Sequence, residues 1–136
     1  MYFAPFLKYY NARHLALQYS CVNAKLADRF DMRKIKVEKA DTLFKRLIGL
    51  IGRKEIYSET GLLIAPCNSI HMLFMRFSID AIFIDKEFRI KKIVKNLKTW
   101  IGFAVCFNAW GVIEMNAGEA DRLKLAVNQT LKVEMI

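Results

Sequence analysis

Residues 79–94 read IDAIFIDKEFRIKKIV, and this stretch predicts a β-hairpin. The apolar residues 79–84 form its first strand, Asp85-Lys86-Glu87 form its turn, and residues 88–94 form its second strand. Lys91 and Lys92 interrupt the alternation between apolar residues in the second strand, so we expect a β-bulge there. The two strands are therefore expected to be antiparallel neighbours.

Working outward from the hairpin, the remaining segments predict further short strands and one or two short helices. Leucines recur at helical spacing between Leu43 and Leu50, which predicts a helix that begins at Asp41 or Thr42, and residues 118–125 predict a helical turn. The other predicted strands cover residues 33–39, 61–66, 69–75, 103–107, 112–117 and 130–136, with the fourth and fifth of these pairing through a turn near Asn108. The fold class expected is α+β, with a small, mostly antiparallel, strongly twisted sheet or a partly open β-barrel.

The composition predicts a domain that folds without a disulfide, a metal or another cofactor. The chain has 136 residues, of which 54% are hydrophobic, and this is enough for one core. Its three cysteines are an odd number without a Cys-x-x-Cys spacing, which indicates buried thiols in a reducing compartment. With two histidines in the whole chain, a histidine-rich metal site is not expected. These features favour a cytoplasmic protein.

The net charge of +9 raises the question of an anionic partner. A basic protein is attracted to nucleic acid or to anionic lipid, although charge by itself carries little specificity. Basic residues cluster in the second half of the predicted hairpin, near Trp100, and could contact an anion or a phosphate backbone. The alternative is a solvated hairpin face, which we favour. The cluster consists of Arg89, Lys91, Lys92, Lys95 and Lys98.

Residues 1–31 are expected to form an N-terminal extension, and residues 32–136 a single compact domain. The extension has apolar residues on one face of a predicted helix, at Leu15, Tyr19, Val22, Leu26 and Phe30. Three interpretations stay open: a helix that binds a membrane surface or a partner with the help of Lys25 and Arg29, a helix packed on its own domain, or a stretch upstream of the natural start at Met32. The first would add peripheral membrane association.

Three predicted apolar strands each contain one ionisable residue, namely His71, Asp80 and Glu114. Burying an unpaired charge costs several kcal/mol, so each group must be bonded, paired or open to a cleft. If the three met, they would form a plausible acid–base or ligand-binding set. The alternative is that each bonds a backbone group and fixes a turn. A nucleophilic Cys67 with His71 as its base is disfavoured, because residues four apart in a strand are roughly 13 Å apart.

Three motifs resemble the family known as domain of unknown function 192, also called uncharacterised protein family 0127. They are residues 40–53 (ADTLFKRLIGLIGR), residues 67–85 (CNSIHMLFMRFSIDAIFID) and residues 112–118 (VIEMNAG). The resemblance implies a small domain of mostly antiparallel strands, found in bacteria and archaea, with no settled activity. Met72, Ser78 and Asn128-Gln129 depart from the family pattern, the last in place of a Gly-Asp turn. The positions that match it are Arg46, Gly49, Ser69, His71, Asp80, Asp85, Glu114 and Gly118.

The leading functional hypothesis is a non-catalytic module that binds a small ligand or a protein. Its candidate site consists of Arg46, Ser69, His71, Asp80 and Glu114. The first alternative is a small enzyme that uses His71, Asp80 and Glu114 in acid–base chemistry. The second is a nucleic-acid-binding protein that uses the basic hairpin of residues 89–98. The sequence specifies neither the ligand nor the oligomeric state.

Overall fold

The computed structural model of the chain describes residues 34–40, 42, 50–51, 54 and 56–136. Residues Arg33–Ile136 form one compact unit. The predicted N-terminal extension lies outside the described residues, and so does most of the predicted helix over residues 41–52, including Arg46 and Gly49. In the described part of the chain, no helix has the length and hydropathy needed to span a membrane.

The described residues form eight strands and one short helix. The helix, α1, covers Glu119–Arg122, which confirms the predicted helical turn. The strands are β1 (Lys34–Lys39), β2 (Thr60–Ile64), β3 (Ser69–His71), β4 (Ile79–Ile84), β5 (Ile90–Leu97), β6 (Phe103–Val105), β7 (Gly111–Asn116) and β8 (Lys132–Met135).

Six of the strands form one mixed sheet in the order β5-β4-β7-β2-β1-β8. The pairings from β5 to β2 are antiparallel, whereas β1 runs parallel to both β2 and β8. Central strands are buried on both faces and therefore consist of near-continuous apolar runs. Strand β4 lies between β5 and β7, and all six of its residues are buried. The predicted α+β class is confirmed, and the main sheet is mixed, with three antiparallel and two parallel strand pairings.

The sheet is open, with β5 and β8 at its edges, and not a closed barrel. The start of β5 and the residues before it are nevertheless bonded to the segment that precedes β8. The Leu131 N–H donates to the Phe88 carbonyl at 3.0 Å, and the Ile90 N–H donates to the Gln129 carbonyl at 2.8 Å. Asn128 has a φ of 72° in this connection. Asparagine tolerates this left-handed region, which explains how Asn128-Gln129 replaces the usual Gly-Asp turn.

The predicted hairpin is confirmed as β4 and β5, and so is its bulge. Phe83 pairs with Lys92 and Ile84 pairs with Ile90, which leaves Lys91 without an opposite residue. A second register shift lies between the pairs Ile79–Leu97 and Ala81–Val94, where Asn96 has a φ of 50°. At this second shift the Asn96 N–H donates to the Asp80 carboxylate.

The predicted pairing of residues 103–107 with residues 112–117 is wrong. Strand β6 instead pairs antiparallel with β3 in a separate two-stranded sheet. The reason lies in the segment between β6 and β7. The Cys106 N–H bonds to the Asn68 carbonyl at 2.8 Å and the Trp110 N–H bonds to the Ile84 carbonyl at 2.8 Å, so the chain leaves the small sheet and enters the main sheet beside β4.

The main sheet is covered on both faces by apolar side chains. On the face that we call the small-sheet face, Ala81, Phe83 and Val112 pack with Ile70 and Ala104 of the two-stranded sheet. On the opposite face, which we call the helix face, the core contains residues of the sheet, of α1 and of the segment that follows it. Members of the second cluster include Ile35, Val37, Ile82, Ile113, Met115, Ala120, Leu123 and Leu125.

Candidate functional site

Asp80 is fully buried in β4 and accepts three hydrogen bonds from the backbone. Its Oδ1 accepts from the Asn96 N–H at 2.8 Å, at the second register shift between β4 and β5. Its Oδ2 accepts from the Gly118 and Ala120 N–H groups, each at 2.9 Å, where α1 begins. These bonds compensate the loss of hydration that burial of a carboxylate entails. Asp80 therefore joins β4, β5 and α1 as a structural residue.

Glu114 is buried in the middle of β7 without such compensation. It pairs with Leu62 of β2 on one side and with Ala81 of β4 on the other. The residue is 6% exposed, and its carboxyl has no hydrogen-bond or ion-pair partner among the described residues. Loss of hydration raises its pKa to about 7. Near neutral pH, Glu114 is therefore divided between a carboxylic acid and a carboxylate.

Cys67 is the ionisable neighbour of Glu114 that sequence analysis did not connect with it. Its thiol is half-buried against the small-sheet core and donates to the Ser69 carbonyl at 3.0 Å. Burial raises the pKa of the Cys67 thiol, the hydrogen bond to Ser69 opposes this, and the charge of Glu114 raises it further. A raised pKa disfavours the thiolate, so Cys67 is a poor nucleophile.

Ser69 and His71 occupy exposed positions of β3 on the outer face of the two-stranded sheet. Alternation along the strand directs Ile70 inward and its two neighbours outward. His71 pairs with the exposed Phe103 of β6. The imidazole thus lies at the surface, away from the buried carboxyls.

His71, Asp80 and Glu114 do not converge. Asp80 pairs with Met115, which belongs to the helix-face core, and Glu114 pairs with Ala81, which belongs to the small-sheet core. Paired residues of neighbouring strands share a face, so the two carboxyls lie on opposite faces of the main sheet. Within the described part of the chain, no group of three His, Cys, Asp or Glu side chains is placed to hold a metal ion.

Replacing His71 by alanine tests its surface role. We expect His71→Ala to change the free energy of unfolding by less than about 0.5 kcal/mol, because the side chain is exposed and fills no core position. Urea denaturation at neutral pH measures the effect. A loss well above 1 kcal/mol would mean that the imidazole supports the small sheet.

Three members of the basic hairpin cluster contact other residues. Lys91 pairs with Asp85 at 3.0 Å, and Lys95 pairs with Asp121 at 2.5 Å. Lys92 donates to the Val105 carbonyl of β6 at 2.9 Å. A phosphate-binding face requires cations that are available to the ligand, and these contacts occupy much of the predicted cluster.

The structure also reveals an exposed apolar surface that sequence analysis missed. It is formed by two loops, residues 72–75 and 98–102, and by the first residue of β6. The loops are bonded together, since the Trp100 N–H donates to the Met72 carbonyl and the Met72 N–H to the Gly102 carbonyl, both at 2.9 Å. We call it the aromatic surface, and its members are Leu73 (47% exposed), Phe74 (61%), Trp100 (56%), Ile101 (85%) and Phe103 (65%).

Two residues of the aromatic surface hold an unfavourable backbone conformation. Phe74 has a φ of 64° and Trp100 has a φ of 68°. Bulky side chains rarely adopt this left-handed region, and the cost is of order 1–3 kcal/mol for each. Their rings meet edge to face with centroids 5.4 Å apart. The loops thus hold two exposed aromatic rings in place at a cost in stability.

Comparison with known proteins agrees with this architecture. The family model of domain of unknown function 192, described as an uncharacterised ACR, matches residues 24–133. This chain belongs to the domain of unknown function 192 family. A member of uncharacterised protein family 0127 from Pyrococcus horikoshii is 33% identical over 100 residues, which are 71% of this chain and 86% of that protein. The resemblance found in the three motifs is confirmed.

Two solved structures share the fold of this domain of unknown function 192 protein. A protein of unknown function from Novosphingobium aromaticivorans has a TM-score of 0.60 and 25% identity, over 66% of this chain and 69% of its own. A protein from Sinorhizobium meliloti, provisionally described as a transcription regulator, has a TM-score of 0.63 and 23% identity, over 68% of this chain and 76% of its own. The second likeness concerns the fold alone.

Several positions of the domain of unknown function 192 pattern now have a structural explanation. Asp80 and Gly118 bond to each other, and Gly118 has a φ of 94° that suits glycine. Asp85 accepts from the Arg89 N–H at 2.9 Å and the Glu87 N–H at 3.1 Å in the hairpin turn. Glu114 has no such explanation, since the described residues offer its carboxyl no hydrogen-bond or ion-pair partner.

Proposed function

We propose that this protein is a non-catalytic binding module and that its binding surface is the aromatic surface. The observation that carries the proposal is that large apolar side chains are exposed on two loops whose backbones are hydrogen-bonded to each other. Large apolar side chains in water gain free energy when a partner covers them, and exposed apolar patches commonly mark interaction sites. Loops that are already bonded together lose little further entropy on binding.

The backbone at Phe74 and Trp100 supports a role in binding over a role in folding. Both residues are more than half exposed, and both have positive φ values. A side chain kept at a cost in stability, without burial in return, is typical of functional positions. The separation of His71, Asp80 and Glu114 likewise supports a binding role over acid–base catalysis.

A matched pair of substitutions tests whether the aromatic surface is dispensable for stability. Phe74 and Phe88 have φ values of 64° and 58°, and each meets a tryptophan edge to face, but Phe88 packs against the helix-face core. Asparagine accepts this φ, so Phe74→Asn should change the free energy of unfolding by less than about 1 kcal/mol. Phe88→Asn should lower it by about 2 kcal/mol. Equal losses in urea denaturation would assign Phe74 to the scaffold.

The same surface is then tested for binding with bis-ANS, an anionic aromatic dye whose fluorescence rises in apolar sites. The folded protein should bind the dye, and Trp100→Asn should weaken that binding. Phe107→Asn is the control, because Phe107 is 87% exposed but lies outside the aromatic surface. Dye binding that Trp100→Asn leaves unchanged contradicts the proposal.

A further inference from the structure

We propose that the partner of the aromatic surface is an anionic lipid bilayer, into whose interface Leu73, Phe74, Trp100 and Ile101 insert. This inference rests on the proposed binding function and names its partner.

The sequence around the aromatic surface is basic and contains no acidic residue. Residues 61–79 and 88–113, which include both loops and both strands of the small sheet, have no Asp or Glu. Arg76 follows one loop and Lys98 begins the other, and both side chains are exposed. Neither has an ion-pair partner among the described residues. The surface is therefore complementary to a negatively charged partner.

The apolar side chains favour lipid over nucleic acid. Bases stack on aromatic rings, and aliphatic side chains have no π-face to offer them. Leu73 and Ile101 are nevertheless the neighbours of the two rings in sequence, and Ile101 is 85% exposed. Exposed Trp, Phe, Leu and Ile side chains with Lys or Arg beside them in the sequence form the pattern of residues that enter a membrane interface.

The loops present these side chains on a rigid backbone. Besides the bonds between the loops, the Gly102 N–H donates to the Lys98 carbonyl at 2.9 Å. A Cβ at Gly102 would lie 2.5 Å from that carbonyl oxygen and 2.7 Å from the Met72 side chain, so the turn requires glycine. Rigid loops enter the interface without first being ordered.

The test uses the full chain and vesicles with brominated acyl chains, which quench tryptophan fluorescence only inside the bilayer. The chain has two tryptophans, and Trp110 packs against Phe88 in the helix-face core. Trp110→Phe therefore reports on Trp100, and Trp100→Phe reports on Trp110. If Trp110→Phe does not fold, the difference between the unaltered chain and Trp100→Phe gives the same information.

We expect quenching of Trp100, and not of Trp110, in an equimolar mixture of phosphatidylcholine and phosphatidylglycerol. Pure phosphatidylcholine should bind the protein at least tenfold more weakly, and Arg76→Gln with Lys98→Gln should weaken binding to the anionic vesicles on the order of tenfold. Leu73→Asn with Ile101→Asn should also weaken binding to the anionic vesicles on the order of tenfold.

Other outcomes overturn the inference in distinguishable ways. Vesicle binding without quenching of Trp100 would assign the membrane contact to another part of the chain, such as residues 1–31. Quenching of Trp100 by a single-stranded oligonucleotide, without vesicle binding, would leave the binding surface intact and make the partner a nucleic acid. Loss of dye binding to the aromatic surface, in contrast, is a failure of the proposed function itself.

Discussion

Asp80→Asn is expected to lower the free energy of unfolding by roughly 3 kcal/mol, one of the two largest effects that we predict. The carboxylate accepts three backbone hydrogen bonds in a fully buried position. The asparagine amide offers one oxygen in place of two, and its NH₂ group would face a backbone N–H. At least one of the three backbone N–H donors then stays without an acceptor beside the buried side chain. Urea denaturation at neutral pH measures the loss.

Asp85→Asn is the matched control for Asp80→Asn. Asp85 also accepts backbone hydrogen bonds, from Glu87 and Arg89, but it lies in a partly exposed turn. Asparagine forms the same turn, and water replaces the lost acceptor, so the expected loss is below about 1 kcal/mol. Equal losses for Asp80→Asn and Asp85→Asn would show that burial does not set the cost.

Glu114→Gln is expected to stabilise the protein at alkaline pH and to remove a pH dependence. The pKa of Glu114 rises from 4.5 to about 7 on folding, so the folded state holds the proton more tightly. The contribution of the protonated Glu114 carboxyl to the free energy of unfolding is complete below pH 4.5. It is lost as the pH rises toward 7, because the unfolded state gives up its proton first. Between pH 5 and pH 8 this group alone should destabilise the protein by roughly 2–3 kcal/mol. Glutamine cannot ionise and so avoids that loss.

The measurement is the difference in unfolding free energy between Glu114→Gln and the unaltered chain at the two pH values. The subtraction matters because other carboxyls act in the opposite direction. Hydrogen bonds from Arg122, for example, lower the pKa of Glu119, which favours stability at higher pH. A difference that stays constant with pH would mean that Glu114 is ionised and paired in the folded protein.

The sequence predicts local features of the fold better than long-range ones. The β4–β5 hairpin and its bulge at Lys91 depend on neighbouring residues, so the alternation of apolar side chains predicts them. The partner of β6 depends on a loop that brings Cys106 to Asn68, nearly forty residues earlier, and no local pattern contains that contact. The helix at residues 41–52 stays a prediction.

The candidate site illustrates the same limit. Asp80 and Glu114 both follow from the rule that an acidic residue in an apolar strand requires an explanation. Register decides that one carboxyl meets three backbone donors and the other meets none among the described residues, and register is not readable from one strand. The aromatic surface was missed in part because residues 69–75 are predicted as one strand. That strand ends at His71, so residues 72–75 form a loop that exposes Leu73 and Phe74.

The position of β1 between β2 and β8 has a consequence for synthesis of the chain. Strand β1 is the first strand described and β8 the last, and they pair side by side, with the Ile136 N–H bonding to the Val37 carbonyl at 3.0 Å. A nascent chain that has not yet released β8 from the ribosome therefore leaves one edge of β1 unpaired. Pairing of strands so distant in sequence slows folding. The sheet is consequently completed only after β8 has been synthesised and released, and until then the unpaired edge of β1 is open to chaperones or to other nascent chains.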